Sequence, residues 1–159
     1  MLNFNSNGLL VPDQNIQSNI VELEKVFVTG IQSAKRHELF SKYISYSTSL
    51  KALCNDAWFT QWIDGSFVTK KTEPRDIDLV TFIDFSIIDA LDEHLTDFKY
   101  PASQNIFGID AYIVRFYPEG HKFHRLYLSD WAYWMDRFSK TRRNRIGNKL
   151  QKGFLEINM

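Results

Sequence analysis

Apolar side chains recur at helical spacing in three parts of the chain. Over residues 34–55 they follow one another at steps of three and four, which is typical of an amphipathic helix. A second stripe predicts a helix over about 86–98, with Ser86 and Asp89 as a capping box. Ser129 is predicted to cap a final helix. The aromatic stripe of that helix favours core packing over base stacking and consists of Trp131, Trp134, Met135 and Phe138.

Runs of β-branched and aromatic residues predict the strands. These runs cover 58–63, 77–83, 109–116 and, as a shorter segment, 154–157. The pattern over 21–28 fits either a short helix or an edge strand, ending at Gly30. The four prolines all fall between patterned segments, so we expect one domain over 1–159. The order of elements predicts an α/β or α+β fold, with helices around a small mixed sheet.

The composition indicates a globular protein but does not indicate what it binds. At 159 residues, with 44% hydrophobic and 15% aromatic residues, the chain is predicted to be globular rather than disordered. Its 19 basic and 19 acidic residues balance, so net charge indicates neither a nucleic-acid nor a membrane partner. The single cysteine, Cys54, suits a reducing compartment. No apolar run approaches the ~18 residues of a membrane span, and the first residues lack the pattern of a signal peptide. We therefore expect a cytoplasmic protein with no membrane contact.

The stretch WIDGSFVTKKTEPRDIDLV, residues 62–80, carries the candidate chemistry. Strand residues two apart share a face and lie ~6.6 Å apart along the chain, so Asp76 and Asp78 are predicted to point the same way. Two like charges ~4 Å apart repel by about 4 kcal/mol at an effective dielectric of 20, a repulsion that a cation, a shared proton or intervening solvent relieves. Mg²⁺ favours carboxylate oxygens together with substrate phosphates. The pair therefore predicts a divalent-metal site beside a phosphate.

Two further features complete the candidate site. Gly65 lets the backbone approach a ligand closely and Ser66 adds a hydroxyl donor, so this pair is a candidate phosphate loop. Asp110 begins a later predicted strand, where it could lie beside Asp76 and Asp78. Asp64 could join the site, but its position beside the glycine favours a turn former.

These residues together resemble the DNA polymerase beta-like nucleotidyltransferase superfamily. Its pattern is Gly-Ser, a spacer near ten residues, a hydrophobic-flanked Asp-x-Asp and a third Asp on a later strand. The match here is Gly65-Ser66, nine intervening residues, Asp76 and Asp78, then Asp110. The chain also looks like a bacterial family of small uncharacterised nucleotidyltransferase-like proteins, which share LLVPD-type and KGFLEI-type segments.

The resemblance implies a minimal nucleotidyltransferase fold and a specific division of labour. Asp76, Asp78 and Asp110 would hold Mg²⁺, with two ions expected, and Gly65 and Ser66 would hold the phosphates of a nucleoside triphosphate. An acceptor hydroxyl would attack the α-phosphorus and pyrophosphate would leave, with Asp110 helping to deprotonate the acceptor.

The sequence departs from that pattern directly after Gly-Ser. Many active members carry small residues and a second glycine there, whereas this chain continues Phe67-Val68-Thr69 and then two lysines. Lys70 and Lys71 are candidate phosphate-binding charges that could compensate, and a solvated loop is an equally good interpretation of them.

A basic segment is the last candidate feature. Residues 137–152 contain seven lysines and arginines and no acid. Such a run is usually a solvated helix end, but it could track an RNA or DNA backbone or contact an acidic protein.

Two functions from different classes follow. The first is an enzyme that transfers a nucleoside monophosphate from an NTP, with ATP expected, to a hydroxyl of a protein, RNA or small molecule. The second is a catalytically degenerate module of the same fold that binds a nucleotide or partner. A third hypothesis is an RNA-modifying enzyme that binds its substrate through the basic segment. A protein partner or a homo-oligomer would supply what so short a chain lacks. By analogy, minimal nucleotidyltransferases of this kind often belong to bacterial toxin–antitoxin or defence modules.

Overall fold

A computed structural model describes all 159 residues of the chain, which contain both strands and helices. The seven strands are β1 (Asn3–Phe4), β2 (Leu10–Val11), β3 (Asn15–Ser18), β4 (Thr60–Asp64), β5 (Asp78–Asp84), β6 (Asp110–Phe116) and β7 (Phe154–Asn158). The five α-helices are α1 (Ile20–Glu24), α2 (Ala34–Leu53), α3 (Phe85–Leu91), α4 (Ala102–Phe107) and α5 (His124–Phe138). A π-helical turn, Lys25–Thr29, extends α1, and 3₁₀ segments follow β4 at Ser66–Val68 and α3 at Asp92–Phe98.

Five of the strands form one mixed sheet in the order β3-β7-β4-β5-β6. β7 runs parallel to β3 and antiparallel to β4, β4 is antiparallel to β5, and β5 is parallel to β6. β1 and β2 form a separate antiparallel pair. The predicted α+β fold, with helices flanking a small mixed sheet, is therefore confirmed.

The sheet has a hydrophobic core on each face. The larger core, of 24 buried residues, includes the apolar stripe of α2 together with Ile63, Leu79 and Ile83. The smaller core, of seven buried residues, includes Trp62 and Val80, with Trp134 and Phe138 of α5. Because neighbouring strand residues point to opposite faces, β4 and β5 contribute to both cores. The aromatic stripe of the last helix packs in the core as predicted.

The two alternatives for the first 33 residues are also settled. Residues 20–29 are helical and end at Gly30, so the helix was the right choice for that pattern. An edge strand does occur in this region, but it lies earlier, at β3.

Two predicted helix starts are wrong. α5 begins at His124, five residues before Ser129, because its aromatic packing continues one turn earlier: the Tyr127 ring lies 5.0 Å from that of Phe116. α3 is capped by Asp84, whose side chain accepts from the amide of Ser86, so Ser86 is not the cap. None of the helices combines the length and the apolar character that a membrane-crossing segment requires.

Candidate active site

Three aspartates from adjacent strands lie at one end of the sheet. Asp78 is the first residue of β5 and pairs in register with Asp64, the last residue of antiparallel β4. On its other side it pairs with Asp110, the first residue of parallel β6. The amide of Asp110 donates to the carbonyl of Ile77 at 3.2 Å, which fixes this register. The prediction that Asp110 begins the strand next to Asp78 agrees with the structure.

Gly65 makes the close approach between the β4 end and β5 possible. Its φ is +87°, a conformation that side-chain-bearing residues rarely adopt. A Cβ at this position would lie 2.7 Å from Oδ2 of Asp78 and 3.3 Å from its backbone nitrogen. The glycine therefore forms one wall of the space around the Asp78 carboxylate.

The residues after Gly-Ser serve the core rather than the site. The chain makes one turn of 3₁₀ helix at Ser66–Val68, and Phe67 and Val68 are completely buried. Ser66 Oγ accepts a hydrogen bond of 3.1 Å from the amide of Arg75, which ties the loop to the segment leading to Asp76. This packing accounts for the large apolar residues that follow Ser66.

A buried arginine holds the same loop in place. The Arg36 side chain, on α2, is fully buried and its guanidinium donates to backbone carbonyls. Those carbonyls belong to Phe27, Phe67, Thr69 and Lys71. No pattern in the sequence indicates this role, because Arg36 lies among polar residues at the start of a predicted helix.

Arg142 faces the carboxylates as their cationic partner. Its Nη2 lies 3.7 Å from Oδ2 of Asp76 and 4.0 Å from Oδ1 of Asp78. One guanidinium nitrogen can reach both carboxylates only because they point to the same side, as their spacing predicts. The side chain of Arg142 is 80% exposed, so solvent screens both ion pairs.

Burial and the crowding of negative charge raise the pKa values of Asp78 and Asp110. Burial is the main cause that raises the pKa of Asp78 to about 6; the charges of Asp76 and Asp110 contribute to this rise, while Arg142 and Lys152 oppose it. Burial also raises the pKa of Asp110, again with a contribution from Asp76. Oδ1 of Asp110 is buried and has no hydrogen-bond partner. A buried acceptor without a donor is costly, so this oxygen is suited to receive a proton or a cation.

The aspartates border a cleft of about 620 Å³ whose other wall is basic. Asp64, Asp76 and Asp78 line it, together with Gly65 and Ser66, whereas Asp110 does not. The eight basic residues that line the cleft are Lys71, Arg75, Arg137, Lys140, Arg142, Arg143, Lys149 and Lys152. Six of the eight come from the basic segment 137–152.

That segment is not the solvated helix end that such a run usually forms. α5 stops at Phe138, and Lys140 then pairs with Gln151 in an antiparallel bridge. Thr141 donates to the carbonyl of Leu150 at 2.8 Å. Residues 140–151 therefore form a hairpin-like arm, and it places its charges over the cleft. The sequence signal for this segment was a run of 16 positions, 137–152, that contains no acidic residue.

Lys152 attaches the base of this arm to the sheet. Its ammonium group donates to Oδ1 of Asp64, and both side chains are less than 10% exposed. Burial raises the pKa of Asp64 to about 7, against the opposing charge of Lys152. The prediction that Asp64 forms a turn is wrong, because it ends β4 inside this buried ion pair, whereas the alternative that it joins the site agrees with its place in the lining of the cleft.

The two candidate phosphate-binding lysines occupy different surroundings. Lys71 lines the cleft, while its carbonyl accepts from Arg36. The Lys70 ammonium lies 4.4 Å from the ring centroid of Phe4 and is not part of the cleft. The structure thus brings Gly65, Ser66 and Lys71 to the site and places Lys70 outside it.

Asp76, Asp78 and Asp110 have the chemistry to bind a divalent ion, although their side chains are not arranged as a complete metal site. No group of three or more His, Cys, Asp and Glu side chains is arranged to hold a metal ion. The partnerless oxygen of Asp110 and the mutual repulsion of Asp76 and Asp78 are nevertheless what a hard cation would satisfy. Arg142 takes the position of a counter-cation in this arrangement.

The fold and this cleft define an α+β protein with a carboxylate-edged, cation-walled cleft at the end of a mixed sheet. The chain belongs to a family of unknown function, DUF6932, whose model matches residues 2–158. No curated protein and no solved structure matches it.

Proposed function

We propose that the protein is a Mg²⁺-dependent nucleotidyltransferase that moves a nucleoside monophosphate from an NTP, with ATP as the first candidate, to an acceptor hydroxyl. The observation that carries the proposal is the cleft itself, which opposes Asp76 and Asp78 to eight lysines and arginines, with Asp110 beside Asp78 in the strand register. A metal–triphosphate complex needs both: carboxylates for the cation and positive charge for the phosphates. The Gly65-Ser66 and Asp76-x-Asp78 spacing supports the same class.

The aspartates at this end of the sheet and the basic wall of the cleft have separate tasks in this proposal. Asp76, Asp78 and Asp110 would hold Mg²⁺, which supplies charge neutralisation for the triphosphate and the leaving pyrophosphate. Lys140, Lys149 and Arg142 would hold the phosphates.

Asp110 is the residue that we assign to proton transfer. Its carboxylate has a raised pKa and a partnerless oxygen, so it is suited to accept the proton of the attacking hydroxyl. The acceptor, which would be a hydroxyl of a protein, RNA or small molecule, has to approach the open side of the cleft. A toxin–antitoxin or defence module remains the context that analogy favours.

A second candidate function is a binding module of the same fold without catalysis. The ion pairs of Arg142 with Asp76 and Asp78 favour it, because an arginine at this position can substitute for the metal permanently. Such a module would bind nucleotide through the basic wall and would not release pyrophosphate.

Binding and turnover of each NTP by the purified chain test both functions. The wild type, Asp78→Asn and the control Asp13→Asn would be titrated with each NTP by calorimetry, with and without Mg²⁺. Pyrophosphate release would be followed with and without candidate acceptors. Asp13 is exposed and forms no ion pair, so its replacement removes the same charge away from the cleft.

We expect Mg²⁺-dependent ATP binding in the wild type and in Asp13→Asn. In Asp78→Asn we expect pyrophosphate release to fall by at least about 100-fold. Nucleotide binding without pyrophosphate release under any condition would support the binding module. If no NTP binds, with or without Mg²⁺, both functions are wrong.

A further inference from the structure

A second cavity lies at the opposite end of the sheet from the aspartates. It has a volume of about 550 Å³, within the range of ligand-binding sites. The cavity reaches from that end, where Thr60 begins β4 and Asp84 ends β5 ~20 Å from Asp78, to the middle of the sheet at Trp62, which pairs with Val80. The basic arm and the cleft residues do not contribute to it. We call this cavity the aromatic groove.

Aromatic rings and two carboxylates dominate the groove. Its seven hydrophobic residues are all aromatic: Trp58, Phe59, Trp62, Phe82, Phe116, Tyr127 and Trp131. The remaining residues are Asn15, Thr60, Asp84, Glu156 and Asn158, so no lysine, arginine or histidine lines it. The groove is thus acidic and aromatic, the reverse of the cleft at the other end.

Glu156 is fixed in the groove by neutral donors alone. Its carboxylate accepts from Trp62 Nε1 at 2.7 Å, from Asn15 Nδ2 at 2.6 Å and from the Gln17 amide. No cationic side chain forms an ion pair with it. These hydrogen bonds orient the carboxylate but leave its negative charge uncompensated.

Asp84 repeats the same arrangement at the other side of the groove. Its Oδ1 accepts from the amide of Ser86 at 2.9 Å and from the Ser86 hydroxyl at 2.5 Å, and it forms no ion pair. Two carboxylates held by neutral groups therefore share one cavity.

The aromatic walls favour the same kind of ligand as the carboxylates. The Trp62 ring packs at 4.7 Å from Phe82 and at 5.7 Å from Trp131, which makes a rigid wall. Trp58 is 79% exposed at the rim, and Lys51 Nζ already lies 5.2 Å from its ring centroid. Aromatic faces attract cations, and indole does so most strongly.

We propose that the aromatic groove binds the guanidinium group of an arginine side chain in an extended segment of a partner protein. A planar guanidinium can stack on an indole and direct its N–H donors at carboxylates in one plane, which a compact ammonium cannot do. Charge complementarity selects the cation, and the oxygens of Asn15 and Asn158 offer acceptors to the peptide backbone beside it. This site is independent of the proposed transferase activity.

Peptide titrations of the ¹⁵N-labelled chain test the groove. The probes are acetyl-Gly-Gly-Arg-Gly-Gly-amide, the same peptide with neutral citrulline in place of arginine, and free arginine amide. Three of the four indole N–H signals belong to groove residues, Trp58, Trp62 and Trp131, and Trp134 on α5 provides an internal reference.

We expect saturable shifts of the three groove indoles with the arginine peptide and at least about tenfold weaker binding of the citrulline peptide. Glu156→Gln should weaken binding by at least about tenfold, since it removes the charge from the carboxylate position. Glu24→Gln, the matched control, removes a charge from an exposed residue outside the groove and should change nothing.

Trp58→Ala keeps the test decisive if Glu156→Gln does not fold, because Trp58 is exposed and its loss leaves the cores intact. It should weaken arginine binding, and Asp78→Asn should leave it unchanged. Equal binding of arginine and citrulline peptides would overturn the proposal, as would the absence of saturable shifts at millimolar peptide. Free arginine amide that binds as tightly as the peptide would overturn the assignment to a protein partner.

Discussion

At the scale of single residues, the carboxylates at the acidic end of the sheet pair with cations that differ in burial. Asp78 lies between Asp64 and Asp110 in the strand register, and Lys152 and Arg142 are the two cations that form ion pairs with the aspartates there. Lys152 is buried in its ion pair, whereas Arg142 is exposed and reaches in from the arm. Arg142 is therefore the cation that a ligand can displace.

Replacement of Arg142 by glutamine is expected to separate its two roles. Mg²⁺ should bind Arg142→Gln more tightly than wild type when no nucleotide is present, because a competing cation is removed, and ATP should bind more weakly. Calorimetric titrations and the Mg²⁺-induced rise in melting temperature measure both effects, since a ligand at 100 times its Kd stabilises by about 2.7 kcal/mol.

The matched control for Arg142 is its neighbour. Arg143 lines the same cleft and forms no ion pair with an aspartate, so Arg143→Gln should not raise the affinity for Mg²⁺. If both variants bind Mg²⁺ as the wild type does, Arg142 does not compete with a metal.

Gly65 provides a second test at the residue scale. Gly65→Ala should destabilise the fold by about 1–3 kcal/mol and displace the Asp78 carboxylate, because it combines a positive φ with a Cβ 2.7 Å from Oδ2. Urea unfolding gives the change in free energy. Gly120→Ala has a similar φ of +85° and no atom within 4 Å of its Cβ, so it isolates the backbone strain. Equal losses in the two variants would show that the contact with Asp78 costs nothing.

At the scale of elements, the Gly-Ser loop is held by a helix that does not touch the cleft. Arg36, in the first turn of α2, collects the carbonyls of the segment that follows β4 and of the π-helical turn before α2. Four carbonyl oxygens that would otherwise lack donors share one guanidinium. The loop geometry at Gly65 and Ser66 thus depends on α2.

Arg36→Met should therefore unfold the protein more readily than any surface change. We expect a loss of about 3–5 kcal/mol, since several buried carbonyls lose their donor at once. Arg115→Met is the comparison, because Arg115 is exposed and forms a single ion pair with Asp89 that should contribute about 0–1 kcal/mol. Denaturant unfolding of both variants measures the difference, and similar losses would contradict the role given to Arg36.

Periodicity predicted the long elements well and the short ones poorly. α2, β5 and β6 agree with the predicted spans to within a residue or two, because their apolar positions alternate or recur over many residues. The apolar pattern over 86–98 is continuous, yet Asp92 has a φ of +43° and the chain changes there from α to 3₁₀ helix. α4, with six residues behind Pro101, was missed because it is too short to show a period.

The site was predictable as far as it depends on strands. Alternation places Asp76 and Asp78 on one side, and the start of a β-branched run places Asp110 beside them. The contributions of Arg142 and Lys152 were not predictable, since an irregular arm of a dozen residues carries no periodic signal. Lys70 was misplaced for the same reason: its contact with Phe4 depends on how two loops meet.

At the scale of the whole molecule, the two cavities divide the sheet between opposite charges. The basic-walled cleft lies at the ends that carry Asp64, Asp78 and Asp110, and the aromatic groove lies at the other ends. α5 connects them, because Tyr127 and Trp131 border the groove and Arg137 and Phe138 border the cleft. A partner that contacts α5 could reach both.

Deletion of residues 154–159 should abolish folding, because β7 lies between β3 and β4 and its Phe154, Leu155 and Ile157 are buried. Circular dichroism and protease resistance measure the outcome. Insertion of a Gly-Ser pair after Gly147 is the control, since this glycine lies in the exposed tip of the arm with no atom within 4 Å of a Cβ. A deleted chain that keeps its near-ultraviolet spectrum would contradict the central role of β7.

The position of β7 also bears on how the chain acquires its shape. Asn15 and Glu156 hydrogen-bond across 141 positions of sequence, so the middle of the sheet forms only when distant segments meet. Loop closure of that length slows folding and leaves the open edges of β3 and β4 exposed to other chains meanwhile. During synthesis, β3 and β4 have to wait for β7, and chaperone dependence should be set by this interval.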